Sequence, residues 1–135
     1  MVPKYRLQVK QILGDNINEL EKNVKKVLIR RRPVVLSFRL TKIQWNNFCE
    51  FFKKDSINKR NIITYDIINK NVPYNDVGDR GHATVITKYD KECITVLNSW
   101  GDEWGDGGFF KIKDFLVFKS LRCFDVFFTL KDLTQ

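Results

Sequence analysis

The sequence contains few of the residues that bind metals or form disulfides. It has one histidine and three cysteines in 135 residues, and the cysteines lie far apart at positions 49, 93 and 123. An odd number of cysteines cannot pair completely, and this spacing matches no zinc-binding pattern. A chain of this length buries about two-thirds of its surface on folding, so it needs neither a disulfide nor a metal for stability. The sequence therefore predicts a single domain over residues 1–135 with no metal or other cofactor.

Long apolar runs are also missing. No run approaches the ~18 residues that a membrane-spanning helix requires. Residues 1–10 include a proline and three basic side chains but no apolar core of the kind found in secretory signals. We therefore expect no membrane segment and no signal peptide in these residues. The sequence does not determine the cellular compartment.

Acidic residues are scarce in the first part of the chain. Residues 1–81 contain 17 Lys+Arg and 8 Asp+Glu, a net charge of +9, whereas residues 82–135 contain 7 and 8, a net charge of −1, which together give the overall +8. The basic excess peaks at residues 25–26 and 30–32. A basic surface can attract nucleic acid or an acidic partner. Because no aromatic residues interleave with the run for base stacking, the sequence favours a solvated helix end whose cations offset the helix dipole.

The hydrophobic pattern predicts an α+β domain. Asn16 is a suitable N-cap for a helix from about 16 to 31, Glu19 follows it as in a capping box, and Pro33 ends the helix. Alternating or β-rich runs predict seven strands, at 4–13, 34–38, 62–68, 83–87, 93–97, 109–113 and 123–130. The aromatic-rich segment at 43–52 predicts a short helix or turn, and the polar segment at 69–81 predicts a loop. We expect the helix to pack on a β-rich core from about 33 to 130, built as a twisted antiparallel sheet or part-open barrel with closed edges.

His82 and Asn98 flank the strongest hairpin pattern. They are equally far from Asp90, so a hairpin centred on that residue would place them directly opposite each other, with Cβ atoms about 4.5–5.5 Å apart. The Asn98 amide oxygen can then accept a hydrogen bond from one ring nitrogen of His82, which fixes the tautomer and leaves the other nitrogen for proton transfer. Trp100 lies just beyond and can shield this bond from water. A purely structural His–Asn pair at a hairpin mouth is the alternative.

The residues around this pair resemble the papain/cathepsin family of cysteine peptidases. Gly-His-Ala-Thr-Val starts at Gly81, and Asn-Ser-Trp-Gly starts at Asn98, followed by Trp-Gly and then Gly-Phe-Phe-Lys-Ile. The similarity runs from about residue 5 to the end and is strongest over residues 81–112. It implies an α+β fold, the papain-like C-terminal lobe that bears the catalytic histidine and asparagine.

The resemblance also implies roles for five residues. His82 is the general base and the partner of a thiolate, and Asn98 orients it. Trp100 covers their contact and borders the leaving-group side of the cleft. Gly81 and Ala83 flank the histidine and line a cleft for a peptide or protein substrate. Trp104 is expected to pack rather than to contact substrate, and ordinary core aromatics and a plain turn glycine remain the alternatives.

The family's nucleophile has no counterpart in these residues. That cysteine lies at a helix N-terminus about 130–150 residues before the histidine and asparagine, whereas 81 residues precede His82 here and no Cys-Gly-Ser-Cys-Trp-like run occurs. Gln44 lies five residues before Cys49 without the intervening glycines, so we interpret Cys49 as a small core residue. Cys93 and Cys123 fall in strand patterns and are expected to be buried thiols. We predict that the chain alone hydrolyses no peptide at an enzymatic rate.

Three functional hypotheses follow. The chain is half of a papain-like peptidase completed by a Cys-bearing lobe, or an inactive homologue that acts as a protein-binding or regulatory module, or an unrelated β-rich protein that binds nucleic acid through its basic part. The first predicts an exposed apolar surface, which residues 115–118 and 124–128 can supply unless they fill the core. Members of the family are usually lysosomal or secreted.

Overall fold

The computed structural model describes residues 4–78, 80–118 and 120–130. Its elements in chain order are β1 (Tyr5–Ile12), α1 (Ile17–Ile29), β2 (Val34–Leu40), α2 (Lys42–Phe52), β3 (Ile62–Ile63), α3 (Tyr65–Ile68), β4 (Arg80–Tyr89), β5 (Ile94–Leu97), β6 (Phe109–Ile112), a short 3₁₀ helix (Phe115–Val117) and β7 (Ser120–Leu130). This is the α+β class that the sequence predicts. The ends of the expected 1–135 domain and Asp79, in the expected loop at 69–81, lie outside the described residues. None of the described helices is long and apolar enough to cross a membrane.

The seven strands of the described residues form one sheet in the order β1-β7-β2-β4-β5-β6-β3. Every pairing is antiparallel except that of β3 with β6, which is parallel. The expected antiparallel pairing is therefore wrong at this one edge, where β3 runs parallel to β6. The expected edge closure is also wrong for the described strands, because β1 pairs only with β7 and β3 only with β6. The sheet stays open at both ends.

One face of the sheet, which we call the inner face, carries the core. In β2 the side chains of Val34, Leu36, Phe38 and Leu40 are buried, while those between them point to the opposite, outer face and are at most partly buried. Two helices cover the inner face. They bury these side chains against it: Val24 and Val27 from α1, and Phe48, Phe51 and Phe52 from α2. Alternation along the strands thus separates a core side from an uncovered side.

The predicted cap of α1 is confirmed, but the helix ends earlier than expected. The Asn16 side chain accepts a hydrogen bond from the Glu19 N–H at 2.9 Å. The helix stops at Ile29, and Arg31 takes a left-handed φ of 59°. Arg32 then turns onto the sheet, where it donates to Asp125 at 2.9 Å. The basic run at 30–32 is therefore only partly solvated, because its last cation is paired with a buried carboxylate.

The strand expected at 62–68 is wrong, whereas the short helix or turn expected at 43–52 is a helix, α2. Only Ile62–Ile63 pairs with a neighbouring strand. The Thr64 hydroxyl then accepts a hydrogen bond from the Ile67 N–H at 3.4 Å and caps the short helix α3. A side-chain cap at the start of a turn favours helical geometry over continued pairing, so the apolar run divides into two elements.

The turn between β4 and β5 gives a prediction about acid stability. The Asp90 carboxylate accepts hydrogen bonds from the Glu92 and Cys93 N–H groups at 2.9 and 3.1 Å, and these bonds lower the pKa of Asp90. A lowered folded-state pKa stabilises the fold above the unfolded-state value of about 3.9, and this contribution is lost as the pH falls through the folded-state value. We expect acidification to destabilise the wild type more than Asp90→Asn, which keeps an oxygen acceptor but does not titrate. Urea denaturation from pH 7 to pH 2 measures this difference, and parallel pH profiles would contradict it.

Candidate active site

His82 and Asn98 meet on the inner face, but they are not directly opposite. The pairing of Val85 with Leu97 continues to align Thr84, not His82, with Asn98. The expected register is wrong because the turn is centred between Lys91 and Glu92, since Tyr89 pairs with Ile94, and not on Asp90. The bulge between Ile86 and Lys88 then reduces the resulting displacement by one residue. The displacement is two residues, which keeps both side chains on one face as diagonal neighbours. The His82 Nε2 and Asn98 Oδ1 atoms are 2.6 Å apart, and we call these two residues the dyad.

The hydrogen bonds of Asn98 fix the proton on the histidine ring. Its Oδ1 atom also lies 2.8 Å from the backbone nitrogen of Ser99, which can only donate. The atom between them must therefore be the amide oxygen, and His82 Nε2 must carry a hydrogen. In the neutral ring this leaves Nδ1 with a lone pair. The bond to Asn98 is the one hydrogen bond that the ring makes with any described residue.

A glycine-rich turn holds Asn98 in place. The Asn98 N–H donates to the Gly108 carbonyl at 2.9 Å, and the Gly108 N–H donates to the Trp104 carbonyl at 2.8 Å. Gly101 and Gly108 both have a φ of +93°, a conformation that L side chains rarely adopt. Asn98 itself is 5% exposed. Asn98, which accepts the hydrogen bond of the imidazole, is therefore a buried residue whose backbone is held in place by hydrogen bonds of the turn.

Three aromatic rings surround the His82 ring. Trp100 lies closest, with ring centroids 4.8 Å apart, and Phe38 and Trp45 each lie at 5.9 Å. Phe38 is also the direct β2 partner of His82 in the β4 register. Such rings lower the local polarity and strengthen the His82–Asn98 hydrogen bond. The sequence analysis missed Phe38 and Trp45. The alternation of β2 and the apolar face of α2 marked both as inward-pointing, but nothing local related them to a histidine more than 30 residues away.

Gly81 and Ala83 lie on β4 on either side of His82, as the sequence requires. They pair with Arg39 and Ser37 of β2 and are exposed on the outer face. Ala83 also lines a groove of about 300 Å³, together with three outer-face residues (Val35, Val85 and Leu97) and with Thr84, Asn98 and Ser99 where the pairing of β4 with β5 ends. Trp100 is 43% exposed. Trp104 packs among Phe48, Phe52, Phe110 and Trp100, which agrees with its expected packing role.

None of the three cysteines takes part in the dyad hydrogen bond. Cys93 and Cys123 are buried, as predicted, but the prediction that Cys49 is a core residue is wrong because it is exposed. The buried residues of α2 are Gln44, Phe48, Phe51 and Phe52, and Cys49 falls outside that stripe. Partial burial and the adjacent Glu50 raise the pKa of Cys49. A cysteine nucleophile needs the opposite shift, towards a stable thiolate.

This difference in exposure predicts which thiol reacts. We expect iodoacetamide to alkylate Cys49 alone in the folded protein, because burial protects Cys93 and raises the pKa of Cys123 to about 12. Glu50→Gln removes one cause of the raised pKa of Cys49 and should speed its alkylation at pH 8. Peptide mapping identifies the modified residue, and Cys49→Ser is the control, with no native labelling expected. Rapid labelling of Cys123 in the folded wild type would contradict the assignment.

The described parts of the chain contain no group of three or more His, Cys, Asp or Glu side chains that could hold a metal ion. The chemistry available at the site is that of one imidazole. Its Nε2–H is tied to an amide oxygen, and its Nδ1 is able to accept a proton from a group brought within reach.

The chain is similar to one protein family and to several solved structures. The sequence model of the family described as papain family cysteine protease matches residues 4–117. Among solved structures, xylellain, a cysteine protease from Xylella fastidiosa, matches with a TM-score of 0.50 and 19% identity over 91% of this chain and 39% of its own. A cysteine protease from Carica candamarcensis in complex with E-64 matches with a TM-score of 0.49 and 19% identity over 87% of this chain and 47% of its own. ProCathepsin B S9 from Trypanosoma congolense matches with a TM-score of 0.49 and 17% identity over 96% and 38%. The chain thus spans less than half the length of each of these proteases.

Proposed function

Because this chain belongs to the papain family of cysteine proteases, we propose that it supplies the general base of a cysteine-type peptidase. His82 is the base, and Asn98 orients it. The nucleophilic cysteine comes from a lobe outside these 135 residues, carried either by the same polypeptide or by a partner. The substrate is a peptide or protein, and Gly81, Ala83 and Trp100 border its cleft.

The hydrogen bond between His82 and Asn98 is the observation that supports this function. With Nε2–H held by Asn98, Nδ1 takes the proton of the cysteine thiol, and the thiolate attacks the peptide carbonyl carbon. Nδ1 then returns the proton to the leaving amine as the C–N bond breaks. A water molecule gives its proton to Nδ1 as it hydrolyses the acyl-enzyme thioester. A neutral amide serves as the orienting group, because the charge of the imidazolium is balanced by the thiolate.

A non-catalytic papain-like module that binds or regulates another protein is the second candidate. One observation favours it: none of the three cysteines in these residues is hydrogen-bonded to His82. In that case the His82–Asn98 pair is a structural contact only, and His82→Gln leaves partner binding unchanged.

The tautomer of the ring provides a direct test. His82 is the single histidine, so ¹⁵N NMR of histidine-labelled protein reports this ring alone. We expect the neutral ring to carry its hydrogen on Nε2, and Asn98→Ala to convert it to a mixture of tautomers. Asn18→Ala, an exposed substitution on α1, is the matched control. A neutral ring protonated on Nδ1 would overturn the proposal.

Activity measurements separate the two candidates. We expect the pure chain to show no thiol-dependent hydrolysis of broad peptide substrates. When a Cys-bearing lobe is added in trans, we expect labelling by an E-64-type epoxide that requires His82. Turnover by the pure chain would contradict the half-site mechanism, and labelling that is unaffected by His82→Gln would favour the non-catalytic module.

A further inference from the structure

A cavity of about 480 Å³ adjoins the candidate active site and has no role in the proton transfer. Its described lining consists of Lys42, Trp45, Asn46, Gly78 and Arg80. The Trp45 ring also packs against the His82 ring, with centroids 5.9 Å apart, and against the Trp100 ring at 6.2 Å. A single indole ring therefore belongs both to the wall of the cavity and to the surroundings of the imidazole.

Trp45 forms a fixed wall of this cavity. Its indole N–H donates to the Arg80 carbonyl oxygen at 3.0 Å, which ties α2 to the first residue of β4. Its ring also packs against Phe38 and Phe48, with centroids 5.8 and 5.5 Å apart. Because its polar group is satisfied and its ring is packed, the indole has the same orientation in the empty cavity as a ligand would need. Arg80 lies two residues before His82 on the same strand, so the cavity and the imidazole keep a constant relation.

The charge of the lining selects the chemistry of the ligand. Lys42 and Arg80 are exposed, and neither forms an ion pair with a carboxylate that the structure describes. Asp76, which follows in the loop after α3, accepts a hydrogen bond from the Ile43 N–H at 3.0 Å and lines a different cavity. The described lining therefore carries two cations and no carboxylate. Such a site attracts an anion, and hydrogen bonds between cations and a carboxylate are stronger than those between neutral groups.

The position of the cavity selects the part of the substrate that reaches it. Trp45 contacts the His82 and Trp100 rings together, and in the proposed function Trp100 borders the leaving-group side of the cleft. An extended peptide advances about 3.3 Å per residue. A cavity beyond a ring whose centroid lies 5.9 Å from that of the imidazole is therefore reached by the second or third residue after the scissile bond.

We propose that this cavity is a subsite for a carboxylate on the leaving segment of the substrate, which is the part after the scissile bond. Lys42 and Arg80 bind the carboxylate beside Trp45, and the planar guanidinium of Arg80 is able to form two parallel hydrogen bonds with it. The proposal rests on the proposed function, because only a peptidase has a leaving segment. The carboxylate belongs either to an acidic side chain or to the C-terminus of the substrate, and the chemistry of recognition is the same for both.

Binding of short peptides to the full chain tests the subsite, because all of its described lining comes from this chain. The probes are acetyl-Ala-Asp-Ala-amide, acetyl-Ala-Asn-Ala-amide and acetyl-Ala-Asn-Ala with a free C-terminal carboxylate. ¹⁵N NMR follows the indole N–H of Trp45, which Trp45→Phe assigns. We expect the Asp peptide to shift this resonance and to bind about five-fold more tightly than the uncharged Asn peptide, as expected for exposed ion pairs. Tighter binding of the free-acid peptide than of its amide would show that a C-terminal carboxylate is also accepted, whereas equal binding would restrict the subsite to acidic side chains.

Substitutions of the two cations give the matched comparison. Lys42→Gln and Arg80→Gln should each weaken binding of the Asp peptide and leave binding of the Asn peptide unchanged. The double variant should bind both peptides equally. Lys26→Gln is the control, because it removes the same charge from an exposed position of α1 outside the lining, and it should keep the wild-type preference. We also expect the preference of the wild type to fall as the salt concentration rises. All three side chains are exposed, so the variants should keep the circular dichroism of the wild type.

The results distinguish failure of the subsite from failure of the proposed function. Equal affinities for the Asp and Asn peptides, no binding of either, or a preference that survives in the folded double variant would each overturn the subsite. The His82 ring in the same samples tests the proposed function independently. An Asp preference that depends on Lys42 and Arg80, found together with a neutral ring protonated on Nδ1, would overturn the proposed function and with it the assignment of the carboxylate to a substrate.

Discussion

Phe48→Ala is expected to lower the free energy of unfolding by about 3–5 kcal/mol, which is the usual cost of removing a fully buried phenylalanine. Phe48 is 0% exposed at the centre of the aromatic cluster. Its ring centroid lies 5.1–5.7 Å from those of four other aromatic residues: Trp45, Phe52, Trp104 and Phe110. The cavity left by alanine removes these contacts, and the helix and sheet backbones restrain the surrounding rings from filling it. The expected loss of free energy is a large part of the total stability of a domain of this size.

Phe128→Ala is the matched control, because it makes the same change at a side chain that is 68% exposed. We expect it to cost less than about 0.5 kcal/mol in the isolated chain. Urea denaturation followed by tryptophan fluorescence measures both variants. Equal losses at positions 48 and 128 would show that the aromatic cluster does not carry the core.

The Phe48 substitution should also reach the candidate active site. Trp45 and Trp100 each contact Phe48 on one side and His82 on the other. The core and the imidazole environment therefore share two rings. In the Phe48→Ala variant we expect a shifted His82 resonance even under conditions where the protein is still fully folded. The dyad is thus supported by aromatic rings that also belong to the core.

Local patterns predicted most of the elements. The apolar positions of α1, the cap at Asn16 and the buried run of β2 each depend on residues within one or two turns of each other. The same local chemistry misplaced the run at 62–68, where the Thr64 cap starts a short helix. The end of α1 was predicted less exactly than its start. The prediction relied on Pro33 to end the helix, whereas the helix stops at Ile29 and Arg31 already has a left-handed backbone.

Register and long-range contacts were beyond local patterns. Neither the centre of the turn, between Lys91 and Glu92, nor the bulge between Ile86 and Lys88 has a clear signal in composition, so the expected opposition of His82 and Asn98 was wrong by two residues. The inference that they meet held, because a shift of two keeps side chains on one face. The exposed position of Cys49 was predictable, since the apolar spacing of α2 excludes it from the buried stripe. Trp45 beside His82 was not, because only the folded packing of α2 against β4 brings them together.

Gly105→Ala is expected to destabilise the turn that fixes Asn98, and Gly107→Ala is its control. The two glycines share the same left-handed backbone, with φ of +61° and +60°. An added Cβ at position 107 meets nothing within 4 Å, whereas at position 105 it meets the Phe109 carbonyl oxygen at 2.7 Å. The left-handed conformation alone costs an L residue about 1–2 kcal/mol, so that is the loss expected for Gly107→Ala. The steric contact adds about 1–3 kcal/mol for Gly105→Ala.

The contact at position 105 should also disturb the dyad, because it displaces a paired carbonyl. The Phe109 oxygen accepts the Asp106 N–H at 3.0 Å, and Phe109 pairs with Leu97, the residue before Asn98. Urea denaturation gives the two losses of stability, and ¹⁵N NMR of His82 gives the tautomer in each variant. We expect Gly107→Ala to keep the Nε2–H tautomer and Gly105→Ala to lose part of it. If both variants keep the wild-type tautomer although their stabilities differ, the turn supports the fold without positioning Asn98. The Asn98 Oδ1 atom is then held by the hydrogen bond that it accepts from the Ser99 N–H.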